Sequence, residues 1–224
     1  MSYPINYPTS QNANVQIFTE DTTVGEAEFT WVKPQGASFV WFTLIGAGGT
    51  GYGGAGGGSG AVTNFMCPAF LIPDSLQIRI GDSTTQNHTI IWYHTYQINA
   101  GGTDLLTAET SSYTTAGNAM TSNFFTCMGF FQSVAGQNGG PGNISAATNT
   151  FLSGGSLDTQ SQTSNYGYSS GPPNTDRTGF FQFQPIIVGT SGMGNGKGGI
   201  GCGGGHYAGG GVSGGPGLVV IITW

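Results

Sequence analysis

One stretch constrains this chain more than any other. From Gly192 to Gly217 the sequence is mostly glycine, and it leads directly into the apolar segment Leu218-Val219-Val220-Ile221-Ile222-Thr223-Trp224. Every third position from Gly196 onward reads Gly196, Gly199, Cys202, Gly205, Ala208, Gly211, Gly214, Gly217, so one phase carries only small side chains. A period of three is that of the extended left-handed polyproline-II-type helix, and a face of small residues allows another backbone to come close. Two further tracts show the same period, each in its own register. Gly48, Gly51, Gly54, Gly57 and Gly60 fall on one phase of the first, and Gly136, Gly139 and Gly142 on one phase of the second. The expectation is that the three tracts lie near one another as extended helices or tight loops, with Leu218–Trp224 paired beside Phe39–Ile45.

Glycine at this density has an energetic consequence. The chain holds 42 glycines in 224 residues, roughly a fifth against about 7% in ordinary proteins. Each loses roughly 0.5–1 kcal/mol more chain entropy on ordering than alanine does, on the order of 20–40 kcal/mol in total. Typical stabilities are only about 5–15 kcal/mol. Glycines that become ordered must therefore serve backbone hydrogen bonding and close packing that a side chain would block.

Charge excludes several function classes. The net charge is −6, and the four basic residues, Lys33, Arg79, Arg177 and Lys197, are dispersed. Nothing in that distribution forms a footprint for nucleic acid or an anionic membrane. The longest apolar run before the last strand, Phe39–Ile45, falls far short of the ~18 residues of a membrane span. Residues 1–14 lack the basic and apolar regions of a signal peptide. Cys67, Cys127 and Cys202 match no zinc or redox spacing, and an odd count argues against a disulfide framework, so free buried thiols are expected.

Read in order, the chain alternates short strands with turns. Residues 1–14 form an extended arm, Val15–Phe18 begins a strand, and Glu20–Glu28 is an acidic edge or loop. Phe29–Val32 alternates weakly, and Lys33-Pro34-Gln35-Gly36 is a turn. Ser38–Ile45 is β-branched and aromatic on both faces. Ala61–Met66, Ser75–Ile80, Thr89–Ile98 and Gln184–Gly189 complete the strand candidates. No apolar spacing of i, i+3, i+4, i+7 persists over three turns, so the expected fold is all-β in a single domain spanning 1–224. Its first and last strands are placed at about 29–45 and 217–224.

Four motif matches fail on context. Gly46-Ala47-Gly48-Gly49-Thr50-Gly51 satisfies G-x-G-x-x-G after a strand, but the residues that follow are mostly glycine and cannot start the helix that would hold a pyrophosphate. Gly211-Val212-Ser213-Gly214-Gly215 satisfies G-x-S-x-G, but with glycine before it and a strand after it, the reverse of a nucleophile elbow. Cys202 and His206 have no second ligand pair, and His88 and His94 only flank Trp92-Tyr93. No carboxylate pair has a context that would shift its pKa. The expectation is a non-enzyme without catalytic residues, metal ligands or a cofactor.

What remains is surface chemistry. The middle of the chain sets Tyr and Phe among Ser, Asn, Thr and Gly, a composition shared with recognition loops in binders. Trp92, Tyr93, Tyr96, Tyr113, Tyr166 and Tyr168 are the candidate contact residues. Trp92, Tyr93 and Tyr96 are also the stacking platforms that a carbohydrate-binding module would use. The same aromatics could instead pack against neighbouring subunits in an assembly.

Three blocks resemble the glycine-rich domain found at the C-termini of bacteriophage tail fibres and in related virion and adhesin proteins. The first is Phe29–Gly36 with Phe39–Ile45 opening on Gly46-Ala47-Gly48-Gly49. The second is Ser59-Gly60-Ala61-Val62 followed by Leu76–Gly81, and the third runs from Gly214 to Trp224. Residues 103–184 do not match and read as this protein's own insertion; the tracts are also shorter than the family's, and residues 1–28 do not read as a fibre shaft. The resemblance implies a β-sandwich or jelly-roll-like body clamped by its first and last strands, with the glycine tracts as loops or polyglycine-II-type helices. It also implies a place on the external surface of a virion. The partners would be other virion proteins, copies of the same chain, and a host cell-surface receptor, protein or glycan. A minor capsid or penton-type role without receptor contact is the alternative.

Overall fold

The computed structural model describes residues 13–19, 28–52, 57–92, 106–136, 138, 200–204, 206–207, 210–211 and 213–224. The strands are β1 (Asn14–Thr19), β2 (Glu28–Val32), β3 (Phe39–Ile45), β4 (Val62–Pro68), β5 (Ser75–Arg79), β6 (Thr89–Trp92), β7 (Leu106–Ala108), β8 (Phe130–Val134), β9 (His206–Tyr207), β10 (Gly210–Gly211) and β11 (Leu218–Thr223). The fold is all-β: one helix, α1 (Asn123–Met128), and one 3-10 turn, Ala69–Leu71, are the helical elements among the described residues.

Two antiparallel sheets carry the body. One has the order β1-β11-β3-β4-β8 and the other β2-β5-β6-β7, while β9 and β10 form a small separate pair. Leu218–Thr223 lies antiparallel beside β3, with Leu218 opposite Ile45 and Thr223 opposite Val40. The expected partnership of the two most apolar segments is therefore present, and β1 covers the far side of β11.

The side chains of β3 show why its run is apolar on both faces. Val40, Phe42 and Leu44 join Trp31, Ile78, Ile91, Leu106, Val219 and Ile221 in one core cluster that unites the two sheets. Ile45 faces the other way, with Val62, Leu218 and Val220, and Ile200 packs on that second cluster. Period-two geometry sends alternate residues to opposite faces, so a strand buried on both reads as a continuous apolar run. Burying each such side chain contributes about 1.5–3 kcal/mol. Trp31 and Phe42 meet edge to face at 6.0 Å, a contact that ties β2 to β3 across the core.

The expected turn at Lys33–Gly36 forms one residue later, as Pro34–Ala37. Ala37 N–H donates to Pro34 O at 3.3 Å, and Gly36 takes φ +80, the left-handed conformation that a type II turn assigns to glycine.

Residues 103–184 read as an insertion, yet their described part builds the body. β7 pairs with β6, β8 pairs with β4, and Phe125 of α1 enters the core. The helix is short, and its first turn is held by Ser122, whose side chain accepts from Phe125 N–H at 3.3 Å. The expected strand at Gln184–Gly189, the 1–12 part of the expected arm, most of the acidic stretch and positions 139–142 of the middle glycine tract lie outside the described residues.

The glycine tracts converge at one end of the sheets, where β3 ends and β4 and β11 begin. Gly48 N–H donates to Gly215 O, Gly49 to Gly58 O, Gly57 to Gly204 O, Gly204 to Gly49 O, Gly60 to Gly201 O and Gly215 to Cys202 O, all within 2.7–3.1 Å. The middle tract joins through Gly136 N–H to Gly117 O and Gly117 N–H to Ser59 O. Neighbouring residues of one tract bond to different segments, as in a bundle of three-fold extended chains and unlike a sheet, where a strand shares its bonds between two neighbours. A Cβ on Gly48 would stand 1.9 Å from Cys202 O, on Gly57 2.0 Å from Gly49 O, and on Gly203 1.9 Å from Gly57 O. Gly49 and Gly58, one phase away from Gly48 and Gly57, are blocked as well. Among the described glycines only Gly36 and Gly201 adopt positive φ. Gly201 apart, the described tract glycines therefore serve close approach of backbones and not unusual dihedrals.

Candidate functional site

The glycine bundle carries two exposed aromatics. Tyr52 leaves the first tract 69% exposed, and Tyr113 projects 48% exposed from the loop that follows β7. Their rings meet at 5.5 Å with planes tilted by 50°. Each ring offers an apolar face and a hydroxyl that donates and accepts, the combination that makes tyrosine effective at recognition surfaces.

The backbone beneath them is fixed by short-range bonds. Ser112 and Thr115 exchange N–H to O bonds at 3.0 and 2.9 Å. The Ser111 hydroxyl donates toward the carbonyls of both Tyr113 and Thr115. Tyr113 O also accepts from Gly58 N–H at 2.9 Å, so its carbonyl is held in the bundle while its ring faces out. A Cβ on Gly49 would lie 1.9 Å from that same oxygen.

Tyr113 adopts φ +52. A bulky residue in the left-handed region is an outlier, costing about 1–2 kcal/mol relative to the right-handed form. Such strain persists where surrounding bonds over-determine the backbone, and it clusters at functional surfaces.

The loop is latched a second time at its root. Thr110 N–H donates to His88 Nδ1 at 3.1 Å, and the Thr110 hydroxyl donates to Asn87 O at 2.6 Å. Ala47 N–H in turn donates to the Thr110 Oγ1 at 3.2 Å, and Ser111 N–H to Ala47 O at 3.0 Å. Burial, the largest influence, pushes the His88 pKa below its ordinary value; Arg79 acts in the same direction and Glu109 opposes both. The unprotonated ring is the form that accepts from Thr110.

The other sequence candidates fare differently. Trp92 is buried at 8% exposure, and the Arg79 guanidinium stands 5.9 Å from its ring centroid. It is thus mostly covered: β6 is an interior strand, between β5 and β7, and the sheet places the indole against its neighbours. Tyr93, Tyr96, Tyr166 and Tyr168 lie outside the described residues. Tyr52 was not among the candidates, although its isolation as the sole aromatic in the tract 46–60 was the available signal.

The weaker motif matches resolve in physical terms. The amides a phosphate would need are engaged: Gly46 N–H donates to Ala61 O, Gly48 to Gly215 O and Gly49 to Gly58 O. Cys202 is buried in the bundle, where burial pushes its thiol up to about 12. Cys67 is buried in the core and its thiol is pushed up to about 11. Cys127 is free and exposed, against the expectation of burial, because it lies on the outer side of α1. Among the described residues no group of three His, Cys, Asp or Glu side chains could hold a metal ion, and no helix is long and apolar enough to cross a membrane.

Comparison with protein-family models, with curated proteins and with solved structures gives no match for this chain.

Proposed function

We propose that this chain is a non-enzymatic virion surface protein that uses its glycine bundle as a rigid base for host attachment. The Tyr52–Tyr113 pair carries the reading. Two exposed rings in contact, one on a strained residue, stand on a backbone with no room for a Cβ at Gly49 or Gly58. A pre-ordered aromatic pair loses little entropy on binding, which favours affinity from a small surface. The resemblance of the opening and closing blocks to phage adhesin domains points the same way, since loops between glycine tracts make the receptor contact in such adhesins. The partner is a host cell-surface protein or glycan that packs on the tyrosine ring faces and hydrogen-bonds to their hydroxyls.

A second reading draws on a separate observation. β1 is an edge strand whose Val15 and Ile17 are 52% and 57% exposed. Edge strands with exposed apolar side chains readily pair with another chain. That favours a minor capsid or penton-type role in which this edge meets a neighbouring subunit. Microscopy of intact particles labelled with an antibody to this chain separates the two. Label at an exposed fibre tip or spike supports attachment, and label confined to the shell supports the capsid role. Absence of the chain from particles removes both.

A further inference from the structure

At the end of the sheets opposite the glycine bundle, a cavity of about 220 Å³ opens between β6, β7 and the helix α1. Phe42, Phe65, Ile91, Trp92 and Leu106 form its buried floor, and Leu71 and Phe124, 41% and 50% exposed, form its rim. We propose that this cavity is a binding site for one small uncharged aromatic molecule, the size of a single ring with a short alkyl substituent.

The chemistry of the wall selects that ligand. Every lining side chain is hydrocarbon or thioether except the Trp92 indole. The side chains offer a water at most the indole N–H, short of the 2–4 polar partners that hold one, and an apolar space of about 150 Å³ accepts a benzene ring. The space here exceeds that requirement by enough for a short substituent, and it is smaller than the ~300–1,000 Å³ of drug-sized pockets. The floor is also aromatic: Phe42 and Phe65 stack at 6.1 Å, and Phe125 meets Phe65 edge to face at 4.9 Å. A flat ring can extend that array with the offset and edge contacts aromatic groups prefer, which a linear chain cannot.

The rim is held in place before any ligand arrives. The Lys33 ammonium donates to Ala69 O at 3.1 Å and Ile72 O at 2.9 Å, and pairs with Asp74 at 2.8 Å. One partly buried cation thereby staples the loop that includes Leu71, and its charge is already engaged by that loop. A site formed in advance binds without the cost of ordering its walls. The site is remote from Tyr52 and Tyr113 and does not depend on the attachment reading.

Toluene titrated into the whole chain, followed through the methyl resonances of Leu71, Ile91, Leu106 and Met128, tests this. The expected result is a saturable shift confined to those methyls, with no response to benzoate at the same concentrations. No saturable shift up to the solubility limit of toluene, or an equal response to benzoate, overturns the proposal. Leu106→Phe, which partly fills the cavity, is expected to weaken toluene binding at least tenfold. A folded Leu106→Phe chain with unchanged affinity also overturns it, and the wild-type titration decides the matter if that variant does not fold.

Discussion

Gly57 and Gly204 are bonded through their backbones at 2.7 Å, and Gly204 passes the connection on to Gly49 at 2.9 Å. Two tracts far apart in the chain, one of them contributing both Gly49 and Gly57, are thus joined through atoms that every residue possesses. What glycine adds is the missing Cβ, which in this bundle would fall onto a neighbouring carbonyl.

That relationship predicts a steep penalty for the smallest possible side chain. Gly57→Ala and Gly203→Ala place a methyl about 2 Å from backbone oxygens, and each is expected to lower stability by about 3 kcal/mol or more, at or beyond the upper end of ordinary overpacking. Gly36→Ala meets nothing within 4 Å and has only its positive φ to resist it, so a loss of about 1–2 kcal/mol is expected. Urea unfolding of the three variants gives the ranking. Equal losses would mean that glycine serves dihedral freedom throughout.

Thiol reactivity reports the same packing without mutation. Iodoacetamide at pH 8 is expected to label Cys127 in the native chain and to spare Cys67 and Cys202, whose thiols are buried and raised to about 11 and about 12. Under denaturing conditions all three should react. Mass spectrometry of peptides from native and unfolded protein reads this directly, and native labelling of Cys202 would show that the bundle opens.

His88 gives the fold a pH dependence of definite sign. Its pKa is lowered on folding, chiefly by burial, so the unfolded chain takes up the proton first as pH falls. The stabilisation is complete above about pH 6.5, the ordinary histidine value. It is lost as pH drops from there through the lower folded pKa. Protonation at Nδ1 also removes the acceptor for Thr110 N–H, which loosens the root of the Tyr113 loop. Urea unfolding between pH 7.5 and pH 5 should show stability falling, and His88→Gln should flatten that part of the slope.

Much of this architecture was legible from residue patterns, and the failures have physical causes. Phe39–Ile45 and Leu218–Trp224 were recognisable because β-branched and aromatic residues apolar on both faces suit a doubly covered strand. The period of three marked the tracts as partners. It did not reveal that Gly49 and Gly58 are closely packed as well, since a bundle with neighbours on several sides occupies more than one phase. β7 and β8 were hidden because Ser, Thr and Gln dominate the stretch around Leu106, Ala108 and Phe131. Thr63 shows how such residues enter the interior: its hydroxyl donates to Thr107 O at 2.8 Å and lies 2.8 Å from the Ser133 hydroxyl. Tyr52 was overlooked because an aromatic between glycines looks like linker until the bundle beneath it is seen. The burial of Trp92 was hidden for the opposite reason, since it depends on the sheet around a residue and not on its type.

The central claim is that Tyr52 and Tyr113 form an attachment surface on a rigid glycine base. Its most direct test compares the purified wild-type chain with the Tyr52→Ala/Tyr113→Ala double variant for binding to host cells and for competition with infection. Both positions are exposed, so the variant should stay folded, with stability changed by no more than about 1 kcal/mol. The account predicts that the wild-type chain binds cells and blocks infection, and that the folded double variant loses both activities at least tenfold. Equal binding by the two proteins, or a wild-type chain that binds no cells and assembles only with capsid proteins, would contradict it.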